Sequence, residues 1–141
     1  MTEIVVREGD QRDLAWLVAN DGHLDESALR PKLAAGEIVV AEMDGERVGL
    51  LRLDHLWSAV PFVALVRVVE PVRRRGVGRA LVAFTADREQ ARGADALLSS
   101  ATADEAAPQA WHLAVGFQEC GFIAGLNPGG VGEVMFRRRL G

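Results

Sequence analysis

The feature that most constrains the fold is a basic segment with two glycines, which lies between an apolar run and an amphipathic stretch. The apolar run, Phe62–Val69, is rich in valine and contains no glycine, as is typical of a buried strand. After the segment, four residues recur at helical spacing: Val77, Leu81, Phe84 and Arg88. Gly93 then provides a left-handed stop for the helix. The sequence therefore predicts a strand, a basic turn and a helix.

The turn has the chemistry of a phosphate-binding site. The first amides of a helix have no partner within it and carry the positive end of its dipole. Gly76 and Gly78 have no side chain that would keep an anion from the backbone. Four arginines surround these glycines, namely Arg73, Arg74, Arg75 and Arg79. A phosphate or pyrophosphate is the natural ligand; an ordinary turn with solvated arginines is the alternative.

The spacing of the turn separates it from two common nucleotide motifs. The P-loop pattern is absent, and a dinucleotide fingerprint that began at Gly76 would need a third glycine where this chain has Leu81. The segment instead reads R-x-x-G-x-G, with Arg73, Gly76 and Gly78 at the defined positions. This pattern resembles the acetyl-CoA signature of the GNAT superfamily of N-acetyltransferases, in which the turn amides hold the CoA pyrophosphate.

Composition favours one globular domain over residues 1–141. Hydrophobic residues make up 49% of the chain, and no apolar run approaches the ~20 residues of a membrane span. The N-terminus lacks a signal-peptide pattern, and Cys120 is the single cysteine, so we expect a cytoplasmic protein. The net charge of −4 argues against nucleic-acid binding. A basic turn on an acidic chain favours a small polyanion instead.

Helix caps and turn signals predict the order β, α, α, β, β, β, α, β, α, β, β. Asp10 caps a first helix over 12–20, and a second over 26–35 is expected to break at Pro31. Asp44-Gly45 joins a hairpin of strands 37–43 and 47–53. A strand over 94–100, a helix over 108–115 and strands over 117–123 and 133–140 complete the chain. This order is similar to the GNAT fold, an α/β (α+β) fold with a mixed, mostly antiparallel sheet of six to seven strands and about four helices.

A second motif carries the resemblance into the C-terminal half. Family members often read A-x-x-[FL]-Y-x-x-x-G-F, and this chain matches its end at Trp111-His112 and Gly116-Phe117, with His112 in the tyrosine position. The segments over 108–112 and 125–133 also resemble a subgroup of small bacterial and archaeal members. The resemblance therefore spans essentially the whole chain.

The resemblance implies an enzyme that transfers acetyl from acetyl-CoA directly to a primary amine. Backbone groups of Val68 and Val69 would pair with the pantetheine arm, and Trp111 and His112 would lie near the cofactor. The residues expected to hold the pyrophosphate are Arg73, Arg74, Arg75, Gly76, Val77, Gly78, Arg79 and Ala80. No metal site is expected, because the three histidines are too scattered along the chain.

The family places a tyrosine acid where this chain has His112, and the chain contains no tyrosine. An imidazole can donate a proton in its place, so His112 is the candidate acid that protonates the CoA thiolate. The alternative is that His112 packs beside Trp111 or binds CoA. The candidate bases are Asp54, His55 and Glu133, although each is more commonly a binding or structural residue. Deprotonation through water is a further alternative.

The acceptor and the assembly are left open by the sequence. Alternatives are a protein N-terminus or an aminoglycoside, as for 6'-N-acetyltransferases, with carboxylates lining the cleft: Asp21, Asp25, Glu26, Asp54 and Glu133. A non-catalytic acyl-CoA-binding module is the alternative of another class. Family members commonly form homodimers through late strands, here Val134–Leu140. Cys120 is interpreted as a buried apolar cysteine rather than a covalent acetyl carrier.

Overall fold

The computed structural model describes residues 3–141, which form seven strands and four α-helices. In chain order they are β1 (Ile4–Glu8), α1 (Leu14–Asp21), α2 (Glu26–Ala34), β2 (Ile38–Met43), β3 (Glu46–Leu56), β4 (Val60–Val68), α3 (Val77–Ala91), β5 (Ala96–Thr102), α4 (Ala106–Ala114), β6 (Gln118–Ile123) and β7 (Glu133–Arg139). The strands follow the order β1-β2-β3-β4-β5-β7-β6 in one sheet. Strand β4 pairs with β5 in parallel, whereas β1–β2, β2–β3, β5–β7 and β6–β7 pair antiparallel. The predicted fold class is therefore confirmed.

The chain divides into two compact units, and the first contains residues up to Asp54 together with Leu65–Thr85. Its core joins one face of α1 and α2 to β2 and β3, through Leu17, Leu29, Leu33, Ile38, Val40 and Leu50. The predicted hairpin is confirmed, because Asp44 and Gly45 adopt φ values of 53° and 76°, the left-handed pair that a two-residue turn requires.

Two buried carboxylates fix the first unit by ion pairs. Asp13 accepts from the Arg7 and Arg47 guanidinium groups at 2.8 and 2.7 Å, and Asp21 accepts from Arg52 Nε at 2.8 Å. Burial opposes ionisation of Asp13, but the two arginines and the Asp10 amide outweigh it and hold its pKa below the ordinary value. Such a carboxylate stays charged inside the fold because every buried oxygen has a donor.

Helix α3 starts close to strand β3 because Gly49 has no side chain. A Cβ at Gly49 would lie 2.9 Å from Val77 Cγ1 and 3.2 Å from Leu81 Cδ1. Val77, Leu81 and Thr85 follow each other at i, i+4 spacing and are all buried. Gly49 therefore sets how near the first turn of α3 lies to the strand.

Replacing Gly49 with valine is expected to lower the free energy of unfolding by about 1–3 kcal/mol, because overpacking forces backbone shifts. Urea denaturation of the variant and of Gly121→Val measures the difference. The second variant is the control for loss of a strand glycine, since a Cβ at Gly121 in β6 would lie 3.8 Å from Met135 Cβ, an ordinary contact distance. A Gly49→Val midpoint at or above that of wild type would contradict this account of the packing.

The second unit contains His55–Ala64 and Ala86–Gly141. Alternate residues of β5 and β7 are buried on one face: Leu97, Ser99, Ala101, Val134 and Phe136. The His112 ring of α4 stacks on Phe136 with centroids 4.6 Å apart. Residues of β6 are all exposed.

Three local predictions were wrong, and each has a physical reason. Helix α2 continues through Pro31, because buried Leu29 and Leu33 anchor it on both sides of the proline. Helix α4 begins at Ala106 rather than Pro108, since an early helical position needs no amide hydrogen. In α3, Thr85 is also buried, and its hydroxyl donates to the Leu81 carbonyl at 2.8 Å.

The third of these is Cys120, which was interpreted as buried but is exposed. It lies in β6, whose residues are all exposed. In the part of the chain that the structure describes, no helix has the length and apolar character needed to cross a membrane.

Candidate active site

The basic turn of the first unit has an unusual backbone. After β4 ends, Glu70–Val72 form a single 3-10 turn. Arg74 and Gly76 then adopt φ values of 67° and 87°. A non-glycine residue in the left-handed region is uncommon and is often found at functional sites. Alternation of left-handed residues ahead of a helix is typical of backbone nests that bind anions.

Helix α3 presents its first amides at this turn. The Ala80 amide donates to the Gly76 carbonyl at 3.0 Å, so the amides of residues 77–79 precede the first intrahelical bond. A Cβ at Gly76 would meet no described atom within 4 Å. Arg73, Arg74, Arg75 and Arg79 are exposed. The turn thus combines amides, open space and positive charge, which fits a pyrophosphate.

The backbone of Val68 and Val69 already has partners within the first unit. The Val69 amide donates to the Val48 carbonyl at 2.9 Å, and its own carbonyl accepts from the Val72 amide. The Val68 carbonyl accepts from Arg73 Nε at 3.0 Å. Pairing of these residues with pantetheine stays a prediction, and at the groups named here it would exchange one of these bonds.

In the second unit, both ring nitrogens of buried His112 have protein partners. Nδ1 lies 2.7 Å from the Pro108 carbonyl oxygen, and Nε2 lies 2.7 Å from Ser99 Oγ. Because a carbonyl only accepts, Nδ1 carries the hydrogen. Burial lowers the pKa of His112, so the ring is neutral at pH 7 and the Ser99 hydroxyl donates to Nε2. Donation to a thiolate would require protonation at Nε2, and the acid role stays a prediction.

Replacing His112 with phenylalanine is expected to lower the unfolding free energy by about 1–3 kcal/mol, because the Ser99 hydroxyl and Pro108 carbonyl lose a partner. At pH values above 6.5, the ordinary pKa of histidine, the neutral His112 ring contributes fully to stability. This contribution declines as the pH falls from 6.5 towards the lower pKa of the ring in the folded protein. Urea denaturation at pH 7.5 and 5.5 measures both effects. An unchanged midpoint would contradict the structural role; a loss of kcat with unchanged acetyl-CoA affinity would support the acid role.

The three candidate bases lie in different surroundings. Asp54 forms an ion pair with Lys32 at 2.6 Å, and His55 Nε2 lies 3.8 Å from Glu89 Oε1. Glu133, at the start of β7, accepts from Ser100 Oγ at 2.6 Å and from Asn127 Nδ2 at 2.9 Å. The charge of Glu133 also favours protonation of His112, although burial has the larger effect on that pKa.

The carboxylates expected to receive a polycation are mostly engaged elsewhere. Asp21 is fully buried against Arg52, Glu26 pairs with Arg30, and Asp25 accepts from the Ala28 amide at 3.0 Å as the cap of α2. Among residues 3–141, no three His, Cys, Asp or Glu side chains are grouped in a way that would hold a metal ion.

Three neutral polar residues that contact the candidate catalytic side chains were not predicted in these roles. Ser99 contacts His112, and Ser100 and Asn127 contact Glu133. The two serines follow Ala96-Leu97-Leu98 in β5, and Asn127 lies in a Pro-Gly-rich segment that indicates only a turn. No local pattern in the sequence pointed to any of these contacts.

Comparisons with solved structures show that other proteins share this fold. The chain superposes on the ribosomal-protein-alanine N-acetyltransferase of Brucella melitensis with a TM-score of 0.81 at 23% identity, covering 96% of this chain and 99% of that one. It superposes on the ribosomal-protein-S18-alanine N-acetyltransferase of Escherichia coli with a TM-score of 0.80 at 17% identity, covering 98% and 94%. For a chain of the NatC complex bound to Gag peptide and CoA, the TM-score is 0.80 at 16% identity, with 99% of each chain covered.

No curated protein matches the chain in a sequence search. The sequence profile of the acetyltransferase (GNAT) family matches residues 7–122. That range contains the basic turn and His112 and covers most of the chain. The chain therefore belongs to the acetyltransferase (GNAT) family.

Proposed function

We propose that this chain is an acetyl-CoA-dependent N-acetyltransferase that acts on a primary amine. The observation that carries the proposal is the R-x-x-G-x-G turn of this GNAT-family chain. In that turn, Arg74 and Gly76 adopt left-handed backbone conformations just before the first amides of α3. This geometry supports binding of the CoA pyrophosphate. The four arginines of the turn add attraction at a local site of a chain whose net charge is −4.

The chemistry requires a base and an acid besides the cofactor site. The acceptor amine loses a proton to a base and attacks the thioester carbonyl carbon. The C–S bond then breaks, and the CoA thiolate takes a proton. Glu133 is the base we favour, because Asp54 is already paired with Lys32. His112 is proposed as the acid, in the position where the family resemblance implies a tyrosine.

We further propose that the acceptor is the α-amine of a peptide or protein. Two similar structures are ribosomal-protein-alanine N-acetyltransferases, and a third contains a peptide and CoA. The pairing of Asp21 and Glu26 with arginines also leaves fewer carboxylates for a polycationic aminoglycoside. A cytoplasmic location, a single domain and a homodimer through Val134–Leu140 stay predictions.

The test is release of the CoA thiol when the protein is mixed with acetyl-CoA and one of three acceptors. These are a peptide with a free N-terminal alanine, the same peptide already acetylated, and an aminoglycoside. We expect release with the free peptide and none with the acetylated one. Release with the aminoglycoside alone would contradict the peptidic acceptor. Tight acetyl-CoA binding without release for a broad set of amines would favour the non-catalytic module.

A further inference from the structure

The carboxylate of Glu133 is held in place by two neutral donors. Ser100 Oγ donates to Oε2 at 2.6 Å, and Asn127 Nδ2 donates to Oε1 at 2.9 Å. Each oxygen thus has one donor and can accept another hydrogen bond. Two donors on different oxygens fix both the position and the plane of the carboxylate. The side chain is half-buried.

Glu133 differs from the buried carboxylates of the chain, which are neutralised by arginine. The pairs are Asp13 with Arg7 and Arg47, Asp21 with Arg52, and Glu89 with Arg88 and Arg92. Among residues 3–141, no cationic side chain lies within ion-pair distance of Glu133. The fold therefore orients this negative charge but leaves it without a cation.

A fixed and unneutralised carboxylate suits a cationic ligand. Neutral hydrogen-bond donors stabilise the ionised form without cancelling its charge. An incoming ammonium group can then occupy the remaining acceptor positions of both oxygens, which are already oriented before it binds. A carboxylate that has a permanent arginine partner would bind the same group less well.

Asn127 is itself fixed by the glycine-rich turn between β6 and β7. The backbone amide of Asn127 donates to the Val131 carbonyl at 2.9 Å, and its backbone carbonyl accepts from the Gly130 amide at 3.1 Å. Its Nδ2 also donates to the Gly132 carbonyl at 3.2 Å. Because the turn holds both the backbone of Asn127 and its side-chain nitrogen, the donor that faces Glu133 has little freedom to rotate away.

We infer that Asn127 and Ser100 are positioning residues, which hold Glu133 ready to receive the proton of the acceptor ammonium. The inference rests on the proposed function and adds the residues that position the base in its deprotonation step. The N–H bond of the ammonium breaks and its proton passes to a Glu133 oxygen. The freed electron pair of the amine attacks the thioester carbonyl carbon and the C–S bond breaks. The nitrogen loses its second proton, the CoA thiolate takes one up, and Glu133 later releases its own proton to solvent.

A double-mutant cycle tests whether Asn127 acts through Glu133. Loss of a general base typically lowers the reaction rate by about 100-fold or more. Glu133→Gln is therefore expected to lower kcat/KM for the acceptor peptide by that factor. Asn127→Ala is expected to lower it about tenfold, the loss of one hydrogen bond of roughly 1.4 kcal/mol. In the Glu133→Gln background, Asn127→Ala should have almost no further effect, because the residue it positions is gone.

The matched controls separate positioning from loosening of the turn. Leu126→Ala changes an exposed neighbour in the same turn and is expected to leave kcat/KM within about twofold, as surface substitutions usually do. Ser100→Ala should reduce kcat, and Ser100→Thr, which keeps a hydroxyl on the strand, should restore it. The affinity for acetyl-CoA should be unchanged in every variant.

The outcomes distinguish failure of this inference from failure of the proposed function. If wild type transfers acetyl but the effects of the Asn127 and Glu133 substitutions on kcat/KM multiply independently, the positioning role is overturned. The proposed acetyltransferase activity is then unaffected. If kcat of Ser100→Thr is as low as that of Ser100→Ala, the role of the Ser100 hydroxyl as a positioning donor is overturned. If wild type binds no acetyl-CoA and acetylates no amine, both the proposed function and this inference are overturned.

Discussion

Replacing Gly78 with glutamate is expected to weaken acetyl-CoA binding by at least about 100-fold, or roughly 2.7 kcal/mol. Gly78 is the second residue of α3, where its amide precedes the first intrahelical bond. A carboxylate there would repel the pyrophosphate and occupy the space in front of the amides. The helix itself should tolerate the change, because glutamate has a higher helix propensity than glycine and a negative charge is favourable at a helix N-terminus.

Calorimetric titration with acetyl-CoA measures this loss. Ala91→Glu is the matched control, since it adds the same charge at an exposed position in the last turn of the same helix. We expect that variant to bind acetyl-CoA within a few-fold of wild type, because its charge is screened over the length of the helix. Equal affinities of Gly78→Glu and wild type would show that the pyrophosphate does not lie at the turn.

Replacing Asp21 with alanine is expected to lower the unfolding free energy by roughly 3–5 kcal/mol, the cost of leaving a buried ion without its partner. Arg52 is 6% exposed and Asp21 is completely buried, so water cannot replace the lost contact. The carboxylate also accepts from the His23 and Leu24 amides at 3.0 and 2.9 Å. A loss of this size is a large share of the ~5–15 kcal/mol that stabilises a domain.

Urea denaturation measures the effect, with Asp25→Ala as the control. Asp25 is an exposed helix cap, and its loss should cost only about 1 kcal/mol. Burial opposes ionisation of Asp21, but Arg52 and the two amides outweigh it and lower its pKa. Its contribution is therefore present above the ordinary pKa of 3.8 and is lost as the pH falls through the folded value. A cost no larger than that of Asp25→Ala would contradict the buried ion pair.

The parts of the fold that depend on local chemistry could be predicted from sequence. Asp44-Gly45 can form a tight left-handed turn at low cost, and Gly93 ends α3 with a φ of 95°. The basic turn was recognisable for the same reason, since glycine spacing and helix-start amides follow from neighbouring residues. Their conformations depend little on the rest of the chain.

Contacts of the candidate catalytic residues that join distant positions could not be predicted. Ser100 and Glu133 are 33 residues apart, and Ser99 and His112 are 13 apart. Which serine faces Glu133 depends on the register of β5 against β7, where Thr102 pairs with Glu133. Pro31 illustrates the same limit, since long-range packing of Leu29 and Leu33 overrides a local signal to end the helix.

The most direct test of the central claim compares two ligands on the unmodified protein. Calorimetry is performed with acetyl-CoA and with S-acetylpantetheine, which has the same thioester arm but no phosphate. We predict micromolar binding of acetyl-CoA, about −8 kcal/mol, and binding of S-acetylpantetheine that is at least ~100-fold weaker. Equal affinity for the two ligands, or no binding of acetyl-CoA, would contradict the assignment of the basic turn as the pyrophosphate site.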